Sequence, residues 1–231
     1  MKRNPILAPE RRLKTVRRGA SVVRDRKVSD FGGFSQPNRR ILSHQICSSA
    51  QDGDTARHGG YDGEMASSRD IVVHPHPVLR MKARPIERID AFVHELVDDM
   101  RRIVQVHDGI GIAAPQVGES VRIFLTCGRD GEPERVFINP RLEQSGAGEL
   151  CDEGCLSLPD IRAEILRPPV VRITAMGLDG REFVLESDGF PGRVWQHEND
   201  HLDGMLIIDR MRPLDRLANR RALRDLERAR G

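Results

Sequence analysis

Residues 194–204 read VWQHENDHLDG, and this stretch decides what the chain is built around. His197 and His201 stand four apart, with Glu198 directly after the first histidine. On an α-helix, positions i and i+4 differ by roughly 40° in azimuth and ~6 Å in height, so both imidazoles project from one face and can share an ion. Glu198 stands ~100° further round, too offset to be an equatorial ligand yet within reach of a water beside that ion. This is the physical content of His-Glu-x-x-His: two imidazoles bind while a carboxylate works on water. A solvated polar helix face can carry the same residues, so a hydrolytic site needs a third protein ligand as well.

Downstream, the familiar completions fail. A third histidine six residues after His201 would extend the motif, but that position is Ile207, although Gly204 fits. Glu227 sits on an Arg-rich terminal segment, while Asp209 and Asp215 stay open on paper. Upstream, CDEGCLSLPD (151–160) offers a better answer. Cys155 follows Gly154, and a glycine lets backbone approach a ligand closely. Cys151, four residues earlier, permits a competing paired-thiol clip, but no second ligand pair follows at zinc-finger spacing. Cys127, inside an apolar run, reads as a small buried hydrophobe. A third unusual stretch is GIGIAAPQVG (109–118), poor as a helix and poor as a regular strand. It lacks the phosphate-loop signatures. It reads either as a tight turn feeding the next strand or as a backbone wall beside a pocket, with the Gln116 amide pointing inward.

The surrounding pattern is that of an α+β domain. Ile89, Phe92, Val93, Leu96, Met100, Ile103 and Val104 recur at helical spacing, with Gly109 as a stop. VRIFLTC (121–127) and ERVFINP (134–140) read as strands around the turn GRDGEP (128–133). VVRITAMGLDGREFVLES (170–187) reads as a hairpin turning at Asp179-Gly180. The His motif then lies on a helix capped by Ser187 or Asp188, with Pro191 in its first turn and Gly204 as its stop. A short strand, MLIID (205–209), and a charged helix from Pro213 complete the chain.

Residues 1–64 hold 13 Lys/Arg against 7 Asp/Glu, a net of +6, whereas the rest holds 24 against 28, a net of −4. The basic excess therefore belongs to the front, and the remainder carries no nucleic-acid footprint. Residues 1–68 are Arg-, Ser-, Gly- and Asp-rich with little to bury, so they are expected to be a disordered basic extension. A targeting leader and translation from Met65 are the alternatives. Residues 69–231 form the expected catalytic domain. No apolar run approaches the ~20 residues that span a bilayer, so no membrane partner is expected. Four cysteines without a signal-peptide core point to a reducing compartment, and the expected location is cytoplasmic.

Taken together and in order, GIGIAAPQVG, EGCLSLP and QHENDHLDG resemble the motifs of peptide deformylases. The likeness covers roughly residues 70–231, including the opening IVVHPHPVLRMKARPI. It implies antiparallel sheets packed around a central metal-bearing helix, with a C-terminal helix. It implies Cys155, His197 and His201 as ligands of one divalent ion, Fe2+ first, with Zn2+, Ni2+ or Co2+ as alternatives. It gives Glu198 the acid–base role, and Gln116 and the backbone N–H of Leu156 the oxyanion site. A peptide would dock strand-like against Ile110, Gly111 and Gly154, its methionine entering a pocket partly lined by Ile110, Phe190 and Val194. Glu153 reads either as a partner for a ligating imidazole or as a surface carboxylate. The implied substrates are N-formylmethionyl nascent peptides, with a transient ribosome contact and no specific nucleic acid. Two departures stand out. Ile112 replaces a commoner leucine, and FPGRV (190–194) implies a later helix start or a reshaped methionine pocket. The rival readings are a metallopeptidase cutting internal bonds and a non-catalytic nascent-chain or RNA-binding protein.

Overall fold

The computed structural model describes residues 69–128 and 133–229. The expected extension, residues 1–68, and most of the turn 128–133 lie outside them.

The first helix, α1 (Ala91–Val106), starts where the Asp90 carboxylate accepts the Val93 N–H. Its apolar face buries Val93, Leu96, Val97, Met100, Ile103 and Val104 against the first strands. Each fully buried side chain of this size contributes about 1.5–3 kcal/mol. Phe92, expected on that face, is instead 38% exposed and lies under the Arg69 guanidinium, 5.7 Å from its ring centre. Its position one residue before Val93 rotates it away from the core.

GIGIAAPQVG resolves into a short strand, β1 (Gly111–Ala113), and a 3-10 turn, Ala114–Val117, closed by Gly118 at φ +90°. The strands β2 (Ile123–Thr126), β3 (Arg135–Ser145), β6 (Val170–Met176) and β7 (Glu182–Ser187) join β1 in one antiparallel sheet of order β1-β2-β3-β6-β7. The β6–β7 hairpin turns at Asp179-Gly180 as expected, with Gly180 at φ +74°. Two further strands, β4 (Glu149–Cys155) and β5 (Leu158–Arg167), pair into a separate antiparallel hairpin. Neither strand was assigned from the sequence. Yet Ile161, Ala163, Ile165 and Arg167 alternate inward along β5, the period of a half-buried strand.

The His motif lies on α2 (Phe190–Leu202). Neither Ser187 nor Asp188 is its cap; Gly189 is, and the Ser187 hydroxyl accepts the Gly189 and Gly192 N–H groups from just upstream. FPGRV does not delay the helix, which begins at Phe190 with Pro191 in its first turn, where a missing N–H costs nothing. Gly192 is there for contact: a Cβ would sit 3.2 Å from Val171 Cγ2 and 3.3 Å from the Ser187 carbonyl. Gly204, at φ +73°, ends the helix as expected.

MLIID is not a strand. Its last three residues begin a four-residue helical turn, α3 (Ile207–Arg210), and Leu206, Ile207, Ile208 and Met211 bury together against β5. Four apolar residues with no alternation fit either element, and the helical turn wins because the consecutive Leu206, Ile207 and Ile208 all face one core. The C-terminal helix α4 (Pro213–Arg228) closes this layer, with Leu223 buried beneath it. Helix α2 thus packs on the five-stranded sheet and meets the β4–β5 hairpin through its side chains, the α+β arrangement expected. Among the described residues, no helix is long and apolar enough to cross a membrane.

Candidate metal centre

Three elements bring the site together. Helix α2 supplies His197 and His201 one turn apart, their ring centroids 5.1 Å from each other. The end of β4 supplies Cys155, whose Sγ lies 3.2 Å from His201 Nε2 although 46 residues separate them. One ligand atom from each of Cys155, His197 and His201 falls within 4.8 Å of the others. A thiol and two imidazoles at that spacing suit one divalent ion, with a position left open for water or substrate. Neither Asp209 nor Asp215 joins them: Asp209 binds Arg80 and the Leu206 N–H, and Asp215 binds Arg212. Cys151 lies outside the triad, so the paired-thiol clip is set aside. Cys127 is half-buried rather than fully buried, packed against the α1 core.

Gln116 is 2% exposed and fixed at both ends. Its Oε1 accepts the Ala113 N–H at 2.8 Å, while its Nε2 lies 3.3 Å from Ser157 Oγ and 3.7 Å from Cys155 Sγ. The 3-10 turn is what folds this amide back toward the sulfur. Glu198 is 4% exposed, and its Oε2 has no hydrogen-bond partner. A buried, unpaired carboxylate oxygen costs free energy unless a further polar group meets it. The donor set and this orphaned oxygen both fit a metal–water centre.

Electrostatics separate the acidic groups. Burial pushes the Glu198 carboxyl up to about 7, despite the opposing charge of His197. Burial would also raise Glu153, but the Arg167 guanidinium and His197 outweigh it and hold that carboxyl at about 2. Burial drives His201 well below the ordinary imidazole range. Burial works the same way on His197, but there Cys155 and Glu153 outweigh it and hold the imidazole well above its usual range. Glu153 Oε2 lies 3.0 Å from His197 Nδ1, so Nε2 is the ring nitrogen left to serve as a ligand.

A cleft of ≈ 320 Å³ opens onto these groups, and every residue expected to touch substrate lines it: Ile110, Gly111, Gly154, Phe190 and Val194, with Gln116, Leu156 and Glu198. Leu156 occupies the turn between β4 and β5. Cys151, Arg162 and Arg193 also line the cleft, a place that the sequence did not reveal for any of them. The sequence reading missed Arg167, 2% exposed, which pairs with both Glu153 and Asp200. An arginine in the inward phase of an alternating strand was the available signal, since a buried cation demands partners.

A His-Glu-x-x-His helix completed by a thiol, between antiparallel sheets, defines a metal-dependent hydrolase. A model of the polypeptide deformylase family matches residues 68–217, and the chain belongs to that family. It is 43% identical over 157 residues to a peptide deformylase of Thermotoga neapolitana, covering 68% of this chain and 94% of that one. It is 40% identical over 141 residues to peptide deformylase 1 of Clostridium perfringens, covering 61% and 96%. Among solved structures, it matches an inhibitor complex of Arabidopsis thaliana peptide deformylase 1B with a TM-score of 0.65 at 40% identity, covering 69% of this chain and 91% of that one. A Plasmodium falciparum peptide deformylase in complex with an inhibitor gives 0.64 at 36%, covering 69% and 99%.

Proposed function

We infer that this chain is a peptide deformylase, an enzyme that hydrolyses the N-formyl group from the terminal methionine of nascent polypeptides and releases formate. The observation that carries this reading is the convergence of Cys155, His197 and His201, with a buried Glu198 oxygen that no hydrogen bond satisfies in the same site. Cys155, His197 and His201 would hold one divalent ion. When bound, such an ion supplies Lewis acidity, bringing the pKa of water from ~16 toward ~7 and polarising an amide oxygen. We assign ferrous iron, with zinc, nickel or cobalt able to occupy the same soft donor set.

Glu198 takes a proton from the attacking water at its carboxylate and returns it to the departing amine. Gln116 Nε2 and the Leu156 backbone N–H donate to the charge that develops on the formyl oxygen, where one such donor is worth ~3 kcal/mol of barrier. Gln116 suits this role because its Oε1 is already tied to Ala113, which aims Nε2 at the sulfur side of the cleft. Ile110, Gly111 and Gly154 guide the peptide backbone, and Ile110, Phe190 and Val194 contact the methionine side chain. The half-exposed Phe190 makes the mouth of that pocket apolar.

Neither rival is favoured. Cys155, rather than a downstream carboxylate, approaches the histidines, which argues against a metallopeptidase of the usual kind. A complete ligand and acid–base set argues against a non-catalytic binder. Acting on nascent chains implies a transient ribosome contact and a cytoplasmic location, where cysteines are kept out of disulfides.

The test is formate release by the full chain, purified anaerobically and loaded with ferrous iron, on an N-formyl-methionyl peptide and on an internally labelled peptide. Formate release without internal cleavage is the expected result. Internal cleavage would establish the peptidase, and inactivity on both would overturn an enzymatic role.

A further inference from the structure

Behind the candidate ligands runs a chain of charge-assisted hydrogen bonds. Glu153 Oε2 meets His197 Nδ1 at 3.0 Å. Arg167 grips both Glu153 oxygens through Nε and Nη2, at 2.5 and 2.8 Å. Its third nitrogen, Nη1, reaches Asp200 Oδ2 at 2.9 Å. Arg210 then clasps both Asp200 oxygens through Nε and Nη2, each at 2.6 Å. The side chains of Glu153, Arg167 and Asp200 are at most 10% exposed, whereas that of Arg210 is 35% exposed. The series alternates acid and base from a ligating imidazole to the surface, and Arg210 is its solvent end.

The geometry points to Arg210 as a positioning residue for the metal centre, acting on His197 through Asp200, Arg167 and Glu153. Arg167 has one guanidinium to divide between two carboxylates. Asp200 is satisfied on both oxygens only while Arg210 holds it, so Arg210 fixes how Arg167 is shared. That in turn sets the placement of the Glu153 carboxylate that fixes the His197 ring. Bidentate guanidinium–carboxylate contacts transmit orientation because the fork is planar and rigid. Arg210 is seated for this by α3, the turn that the sequence reads as a strand. A strand would alternate its neighbours to opposite sides, whereas the helical turn sends Ile207 and Ile208 into the core and leaves Arg210 facing α2.

This inference rests on the ligand set proposed above, and its test separates the two. The full chain is loaded anaerobically with Co2+, and the visible and near-ultraviolet absorption and the rate of Co2+ loss to a chelator are recorded for wild type, C155S, R210M and R210Q. R210M keeps the stem and removes the guanidinium, while R210Q keeps an amide donor without charge. Removing partners that orient a ligand weakens metal binding by about 10–100-fold. Three steps beyond the Glu153 carboxylate, R210M is expected to speed Co2+ loss by about tenfold, the low end of that range, and to shift the ligand-field bands, with R210Q intermediate. A lower melting temperature with wild-type loss rate and spectrum would make Arg210 merely structural and overturn the inference. If R210M does not fold, R210Q decides by the same two readouts. If C155S alone leaves the Co2+ spectrum unchanged, the ligand set itself fails.

Discussion

Gly111 and Glu198 are pressed together: a Cβ built on Gly111 would lie 2.6 Å from Glu198 Oε1 and 3.1 Å from its Cδ. The carboxylate thus rests against bare backbone of β1, which holds it over the cleft. Gly111→Ala is therefore expected to push Glu198 out of place. Since Gly111 is an ordinary strand residue, with no left-handed φ to lose, alanine fits its backbone and the damage is local. We expect kcat to fall by about tenfold or more, as small misplacements at reacting groups do, with metal content unchanged. Elemental analysis and formate-release kinetics check this, and wild-type kcat would show that Glu198 has room to spare.

Glu198→Ala should retain metal and lose turnover by roughly 10²–10⁴-fold, the usual worth of positioned acid–base catalysis. The pH profile follows from the sign of its shift. Burial pushes this carboxyl up to about 7 before any ion is counted, and the base works only when ionised. A nearby cation favours the ionised form and lowers that value. The acid limb of kcat/KM should accordingly lie below pH 7 in the loaded enzyme and be absent from the residual activity of Glu198→Gln. An unchanged limb in Glu198→Gln assigns it to another group.

Cys155→Ser replaces a thiolate with a neutral hydroxyl, a far poorer ligand for a soft ion. Purified in parallel with wild type, it should hold less than about a tenth of the metal at equal total concentration. Full occupancy would remove the sulfur from the ligand set.

Arg167→Met strands Glu153 and part of Asp200 in the interior, and breaking a buried pair in this way costs about 3–5 kcal/mol. Urea unfolding of metal-free protein measures it. The same pair sets an acid limit in wild type. Glu153 is held at about 2 in the fold against an ordinary 4.5, so the folded state binds this proton less readily than the unfolded one. Its stabilisation is complete above pH 4.5 and is lost as pH falls through about 2. Glu153→Gln should flatten that part of the stability profile, and a profile unchanged from wild type would contradict the pairing.

What could be read in advance has a local cause. His197, Glu198 and His201 were legible because helical periodicity alone puts two imidazoles on one face. The hairpin at Asp179-Gly180, the α1 face and the stop at Gly204 were legible because turn chemistry and periodicity act over a few residues. MLIID was misread, and the β4–β5 hairpin was not assigned, because short apolar or polar runs fit more than one element, and burial decides between them.

By itself the sequence determined the helix that carries the histidines, the alternation that makes the sheet, and the three motifs whose order marks the family. Only the tertiary structure decided that Cys155 meets His201, that Gly111 supports Glu198, and that Arg167 and Arg210 stand behind His197. The physical reason is range. Backbone preference and side-chain periodicity act over a turn or a strand pair. A buried charge or a free thiol is satisfied by partners dozens of residues away, and packing alone selects them.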